Sequence, residues 1–497
     1  MLNSALAIQG LVVLVIYMIG MLFIGIYCNK HFTSDLSGFL AGGRSIGPWV
    51  FALLYGSTYL SSSTFIGNTG TAYVGGLAFL FMPVPQLILL PVGILLFSHA
   101  LRKMSKHLDV LTVPEFIARR YKSPLSGLLA SLLIIIFMVP YMVAVVKGGA
   151  VSLEQLLGIS YPVAVFLVSG VACLYLMAGG FMARAYTDVV QGVMMAIGML
   201  FVLIGGFYII GGPATIAAKV SALDPQLVET PGPLGWSQLL LFSTVFAISP
   251  WGLPQLVQTN FTIRDRKVVY TSSIVLAIWV SAVLFGSMII GNMGRAYFGN
   301  QLINEPDQIF PAMVLTFFPN IFGAIIICAV IAAAMSTIDG VLMTAGTSFS
   351  VDIYKKFFRK DASDKEVLLV TNITMVVMIL AVIIWAFNPP KMLLNLTSYA
   401  FSVIAGGLLV PIFFGMFYKE GTPAACLTSI MVGSGVTFIW YIIKINNNYI
   451  LGIPPFVAGT IIAAISFLIV SQNSAKLPKD FVDGLFSKEA DLATYEN

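Results

Sequence analysis

Long apolar runs separated by short polar stretches fill almost all of this chain of 497 residues. Crossing a bilayer core takes about 20 apolar helical residues, and runs of that length recur between charged or Gly/Pro-rich breaks. The pattern predicts thirteen helices, over 7–28, 45–75, 77–100, 124–155, 161–178, 184–211, 236–261, 268–293, 308–352, 366–386, 392–417, 423–443 and 453–471. Residues 473–497 read as a polar tail. Two spans are interrupted. The second contains YGSTYLSSST (55–64), with Gly56 and a hydroxyl run at its middle, and the seventh contains ISPWGLPQLVQ (248–258), with Pro250, Gly252 and Pro254. Proline removes a backbone donor and glycine weakens a helix, so amides and carbonyls are freed at membrane depth. Only protein, a cavity or a ligand can satisfy them there.

The interrupted spans lie five apart, and each opens a potential five-helix unit. Because five is odd, a second unit enters the membrane from the opposite side. That is an inverted repeat with its ligand site at the broken helices; the alternative reading is two ordinary kinks in packed helices. The expected fold class is an all-α membrane protein. Its expected division is an extra helix and loop (1–44), two five-helix units (45–211 and 212–417), two further helices (418–472) and the tail (473–497).

Composition agrees with this picture. Hydrophobic residues make up 58% and charged residues 9%, with a mean hydropathy of +0.95, whereas soluble domains carry about 25% charged residues. No soluble catalytic domain has room to fold. The net charge of +5 matters through its placement. With the N-terminus outside, 21 of the 26 Lys and Arg, Arg184 among them, fall on the cytoplasmic side. Lys219, Arg295, Lys391 and Lys444 fall outside, and Lys147 alone sits within a span, which predicts a cell-membrane protein with a cytoplasmic C-terminus. The first run lacks a basic n-region and a cleavage pattern, so it reads as a retained helix.

Cys28, Cys173, Cys328 and Cys426 form no CxxC pair, and His31, His99 and His107 sit at segment ends or in a loop. These patterns argue against a disulfide framework, a zinc site or a buried histidine relay. Phosphate-binding loops, dinucleotide fingerprints, HExxH and nucleic-acid-binding stretches are also missing. An ion gradient is therefore the expected energy source. The expected partners are a small solute, an ion and the bilayer, with no nucleic acid and no obligatory protein. An enzyme is disfavoured because no nucleophile and base occur at usable spacing; a channel or sensor is the rival from another class.

The chemistry concentrates in AAAMSTIDG (332–340). Ser336 and Thr337 offer adjacent oxygens one turn after the carbonyl of Ala333, and hard cations take oxygen ligands. Both hydroxyls could equally bond back to carbonyls one turn earlier. Asp339 shares a face with Ser336, and a carboxylate within a span usually marks an ion path or a pair. The other deep acid is Asp188, in ARAYTDVVQG. If the two aspartates meet, they share a cation or a proton; otherwise each is structural, for example paired with Arg184. Lys147 could receive a substrate carboxylate, pair with an aspartate, or extend outward to the interface. Tyr141 and Trp251 are candidate aromatic walls.

At these residues the chain resembles the sodium:solute symporter family, over nearly its whole length. The likeness rests on FLAGGRSIGPWV, LTVPEFIARRY, AGGFMARAYTDVVQG and AAAMSTID. STYLSSSTFIGNTGTAYVGGL and MGRAYFGNQLINEPDQIFPAMV look most like the pantothenate permease branch, with monocarboxylate transporters as near relatives. The resemblance implies a LeuT-like fold of five plus five helices, with one helix before and two after. It implies sodium on the carbonyls of Ser57, Leu60 and Ala333 and the hydroxyls of Ser336 and Thr337. It also places substrate around Ser61, Thr64, Tyr141, Trp251 and Gln255; Tyr59 and Lys147 are further substrate candidates, and Lys147 belongs to no family pattern. Family members with a second sodium site pair the equivalent of Asp188 with small hydroxyl residues at positions 339 and 340. Here Asp339 and Gly340 stand there, so a second cation or proton site formed by Asp188, Asp339 and Ser336 would have different ligands. The expected activity is sodium-coupled import of a small, carboxylate-bearing solute such as pantothenate, a monocarboxylate or proline. A proton-coupled carrier using Asp188 and Asp339 is the alternative.

Overall fold

Helices end where the sequence interrupts the backbone ladder, and those ends define the site. The computed structural model describes residues 4–32, 38–39, 42, 46–390, 392–445 and 448–487; Arg44, Lys391 and Lys488 lie outside them. In chain order the first helices are α1 (Ser4–Phe32), α2 (Pro48–Tyr59), α3 (Thr69–Gly75), α4 (Pro83–His107), α5 (Val113–Arg120) and α6 (Pro124–Leu157). Next come α7 (Tyr161–Ile210), α8 (Pro213–Leu223), α9 (Gly235–Ile248), α10 (Pro254–Thr259), α11 (Arg266–Phe298) and α12 (Ile309–Phe317). The last are α13 (Asn320–Phe349), α14 (Asp364–Ala386), α15 (Leu393–Phe417), α16 (Pro423–Ile442), α17 (Pro455–Asn473) and α18 (Lys479–Phe486). Two strands of two residues each, β1 (Lys444–Ile445) and β2 (Asn448–Tyr449), pair antiparallel between α16 and α17.

Among the described residues, eleven helices are long and apolar enough to cross a membrane, and Tyr161–Met177 is a shorter apolar helix. The segment from Pro48 to Gly75 is broken into α2, a π-helical stretch (Ser63–Asn68) and α3, as the hydroxyl run predicts. Leu60 is extended at φ −86°, ψ 103°, and the next turn is held locally, with Ser63 N–H donating to Ser61 Oγ at 3.1 Å. Ser and Thr side chains compete with the ladder in this way. The seventh span breaks at Leu253 (φ −77°, ψ 118°), because the residue before a proline, here Pro254, is driven out of the helical region.

The same rule corrects the predicted single span 308–352. Phe318, before Pro319, is extended at φ −118°, ψ 144°, so the segment divides into α12 and α13. The predicted helices 161–178 and 184–211 stand as two helical stretches of α7, parted by a kink at Gly180 (φ 59°, ψ −149°), a conformation open essentially to glycine alone.

Packing places α13 at the centre, against α1, α2, α6, α7 and α14. Its residues from Ala324 to Ser348 are almost all buried, whereas α1 exposes Ile8, Val12, Ile16, Ile19 and Phe23 along its outer face. An apolar outer face suits lipid, and a helix buried all round belongs to the interior. The break in α2 therefore faces the hydroxyls of α13 inside the molecule.

Candidate functional site

A helix leaves its last four carbonyls without intrahelical partners. At the end of α2, Leu60 N–H caps Gly56 at 2.7 Å, leaving the carbonyls of Ser57 and Thr58. The hydroxyls of α13 meet them. Ser336 Oγ lies 3.0 Å from the Ser57 carbonyl and 3.2 Å from the Ala333 carbonyl, and Thr337 Oγ1 lies 3.3 Å from the Thr58 carbonyl. Ser57, Thr58, Leu60, Ala333, Ser336 and Thr337 are all buried. The hydroxyls thus bond across to a broken helix, and only Ser336 also bonds back within its own. Oxygens alone converge here, the donor set that a hard cation requires. Leu60 sits at the break itself; Thr58, which the sequence reading does not single out, supplies the carbonyl facing Thr337.

Asp339 on α13 and Asp188 on α7 are both fully buried. Tyr175 donates to Asp339 Oδ2, while Thr58 Oγ1 lies 3.3 Å from Asp188 Oδ2. Arg184 is not in a cytoplasmic segment as expected. It sits in α7 with a relative exposure of 2%, Nε 3.6 Å from Asp188 Oδ2 and Nη2 donating to Thr58 Oγ1 at 2.9 Å. Lys147 is therefore not the sole basic residue within a span: one turn of α7 carries Arg184 and Asp188 together.

Beside the broken α2 lies a small cavity of about 20 Å³, room for a water and too little for a solute without opening. It brings together four of the expected substrate residues, Tyr59, Ser61, Thr64 and Tyr141. Tyr141 packs edge-on against Phe401 with ring centroids 4.7 Å apart, and its hydroxyl lies near Ser61 and Thr337 without making a hydrogen bond. That hydroxyl connects the cavity to the oxygen cluster. Tyr59 donates towards Gln86 Oε1 at 2.6 Å and the Phe246 carbonyl at 2.7 Å. Ser63 Oγ and Thr397 Oγ1 lie 3.0 Å apart and join the π-helical stretch to α15. Gln86, the lone amide of PVPQLILLP, was the visible signal for this wall in the sequence.

The structure places three expected substrate residues elsewhere. Trp251 donates its indole N–H to the Leu89 carbonyl at 3.1 Å and stacks edge-on against Phe97, lining a separate cavity with Tyr55 and Asn260. Gln255 is buried on α10, its Oε1 without a hydrogen-bond partner. Lys147 forms an ion pair with Asp307 at 2.7 Å and donates to the Pro390 carbonyl at 2.9 Å, so it pairs with neither deep aspartate. Burial raises the Asp307 carboxyl above its ordinary pKa, while Lys147 pulls it back down. Asp307 belongs to the short turn Pro306–Gln308, whose role the sequence does not signal.

Comparison with known proteins accords with this geometry. Residues 39–433 match the model of the sodium:solute symporter family. An osmoregulated proline transporter of Bacillus subtilis is 28% identical, over 95% of this chain and 96% of its own length. A sodium/pantothenate symporter of Haemophilus influenzae is 29% identical, over 82% of this chain and 85% of its own. In structure, the chain is similar to a Na+-coupled sialic acid symporter in a substrate-bound, outward-open state. The TM-score is 0.79, at 20% identity, covering 95% of this chain and 99% of that one. A nucleobase-cation-symport-1 family transporter in a closed conformation matches with a TM-score of 0.55 over 91% of this chain and 97% of its own.

Proposed function

We propose, for a chain that belongs to the sodium:solute symporter family, a site and a cycle that the residues described above would perform. The protein is a multi-pass membrane symporter, not an enzyme, and sodium is its coupling ion. In our reading the broken segment and the short helix Tyr161–Met177 join the eleven long helices as spans. The chain then crosses thirteen times, from an outer N-terminus to a cytoplasmic C-terminus, with 45–211 and 212–417 as inverted five-helix units.

Sodium would bind the carbonyls of Ser57, Leu60 and Ala333 and the hydroxyls of Ser336 and Thr337. The solute would bind beside it, against Tyr59, Ser61, Thr64 and Tyr141, once the small cavity they line widens in the outward-open state. The observation that carries this reading is the docking of two α13 hydroxyls on carbonyls released by the break in α2. Sodium there ties α2 to α13 and favours a state open to the outside, where solute adds; closure and inward opening then release both. Because the two ligands favour a common state, each tightens binding of the other by the same factor. The membrane potential drives sodium inward by about 2.3 kcal/mol per charge per 100 mV.

A carboxylate-bearing solute suits the chain, since its relatives include carriers of proline and of pantothenate. Lys147 is engaged by Asp307, so the carboxylate would meet hydroxyls, amides and the bound sodium. Uptake into proteoliposomes, with sodium varied at fixed pH and with pantothenate, proline and short monocarboxylates as labelled solutes, tests both halves. Saturable accumulation that depends on sodium is expected; accumulation indifferent to sodium but driven by a pH gradient would support the proton-coupled alternative.

A further inference from the structure

The Asp188–Asp339 pair is the part of the ion face that sodium and solute binding leave unused. Two buried carboxylates that feel one another's charge at membrane depth call for a cation or a shared proton. The chain carries one of its own. Arg184 lies one helical turn before Asp188 on α7, with its guanidinium 3.6 Å from that carboxylate and bonded to Thr58 Oγ1 at 2.9 Å. Gly340 makes the space for it: a Cβ there would stand 3.0 Å from Arg184 Nη2 and 2.7 Å from the Thr58 methyl. Any larger residue at 340, serine included, would crowd the guanidinium. Asp339 and Gly340 put no small hydroxyl at 339 or 340, and the guanidinium takes the room beside Gly340.

We propose that Arg184 is a resident cation that occupies the place of a second sodium at Asp188 and Asp339, so that the protein binds a single sodium. The inference rests on the sodium site at Ser336 and Thr337 proposed above. Charge balance supports it. With both carboxylates ionised, one guanidinium leaves one negative charge, which one sodium on the adjoining face of α13 neutralises. A second sodium would add an unpaired positive charge to a buried site, which costs several kcal/mol, and would have to stand where the guanidinium lies. Arg184 is a positioning residue: it holds Thr58, whose carbonyl faces Thr337.

Equilibrium binding of radioactive sodium to the purified full chain in detergent tests the proposal without knowledge of the solute. The wild type should saturate at one ion per chain. Two ions would overturn the proposal while leaving the Ser336/Thr337 site standing, and none would remove both. Ser336→Ala with Thr337→Ala should weaken binding by about tenfold or more. The triple variant Arg184→Ala, Asp339→Ser, Gly340→Ser should bind two ions, with a Hill slope above one, and Arg184→Lys, which keeps the charge, should stay at one. A single ion in a triple variant that still unfolds cooperatively would overturn the proposal; the wild-type count stands independently if that variant fails to fold.

Discussion

Ser336 and Thr337 carry the sharpest test at the scale of single residues. A hydrogen bond or ligand contact to a charged group contributes about 1.5–3 kcal/mol, and each 1.4 kcal/mol is about tenfold in affinity. Ser336→Ala combined with Thr337→Ala should therefore raise the sodium concentration for half-maximal uptake by about tenfold or more at normal expression; an unchanged sodium dependence would refute the ligand assignment. Lys147 tests the opposite kind of role. Its ion pair with Asp307 is nearly buried, with side-chain exposures of 12% and 8%, and removing one partner of a buried pair costs about 3–5 kcal/mol because the other charge is stranded. Lys147→Met should lower the detergent melting temperature and reduce uptake of all solutes alike, and adding Asp307→Asn should restore part of the stability. Selective loss of carboxylate solutes would instead return Lys147 to the binding site. Sequence alone left three fates open for this lysine, because its partner is 160 residues away.

At the scale of elements, the breaks were legible wherever the cause is local. The prolines at 254 and 319 act on the residue just before them, and the Ser/Thr run at 61–64 supplies its own competing hydrogen bonds. The division of 308–352 at Phe318 was therefore available from Pro319, but the apolar pattern on both sides outweighed it. The break at Gly180 fell in the gap expected between 178 and 184; only its positive φ was not legible, since a glycine beside an apolar run gives no sign of it. Its backbone conformation costs a residue with a side chain about 1–3 kcal/mol, and a Cβ there would stand 2.5 Å from the Phe39 ring. Gly180→Ala should lower the thermal midpoint by several degrees, as read by a thiol-reactive dye or tryptophan emission. An unshifted midpoint would mean that α7 can straighten without cost.

At the scale of the whole molecule, the end of the bundle that carries α5 and the close of α15 is tied together by helix α18. Arg120 donates to the Gly415 and Tyr418 carbonyls at 2.7 and 2.8 Å, joining α5 to the end of α15. Helix α18 covers this joint, with Leu485 fully buried, Phe481 under Lys122 at 4.3 Å and Phe486 under Arg120 at 5.4 Å. Lys103 adds a bond to the Ser487 carbonyl at 3.0 Å. Removing the chain from residue 478 onward should speed amide exchange in 108–123 while leaving α13 protected, since local opening follows the loss of local contacts. Equal exchange in both regions of the truncated chain would deny the helix a bracing role.

The sequence by itself determined that the chain is helical and membrane-spanning, where most spans lie and which two are broken. Each of these follows from composition, from periodicity or from covalent neighbours acting within one turn. Only the tertiary structure decided which groups meet. It set the Ser57 and Thr58 carbonyls against Ser336 and Thr337 across 279 residues, sent Lys147 to Asp307, turned Trp251 towards a separate cavity, and brought Arg184 from an expected loop to the buried aspartates. A buried polar group must find a partner somewhere, and its own stretch of sequence states that need. Which partner answers it depends on how helices far apart in the chain pack together.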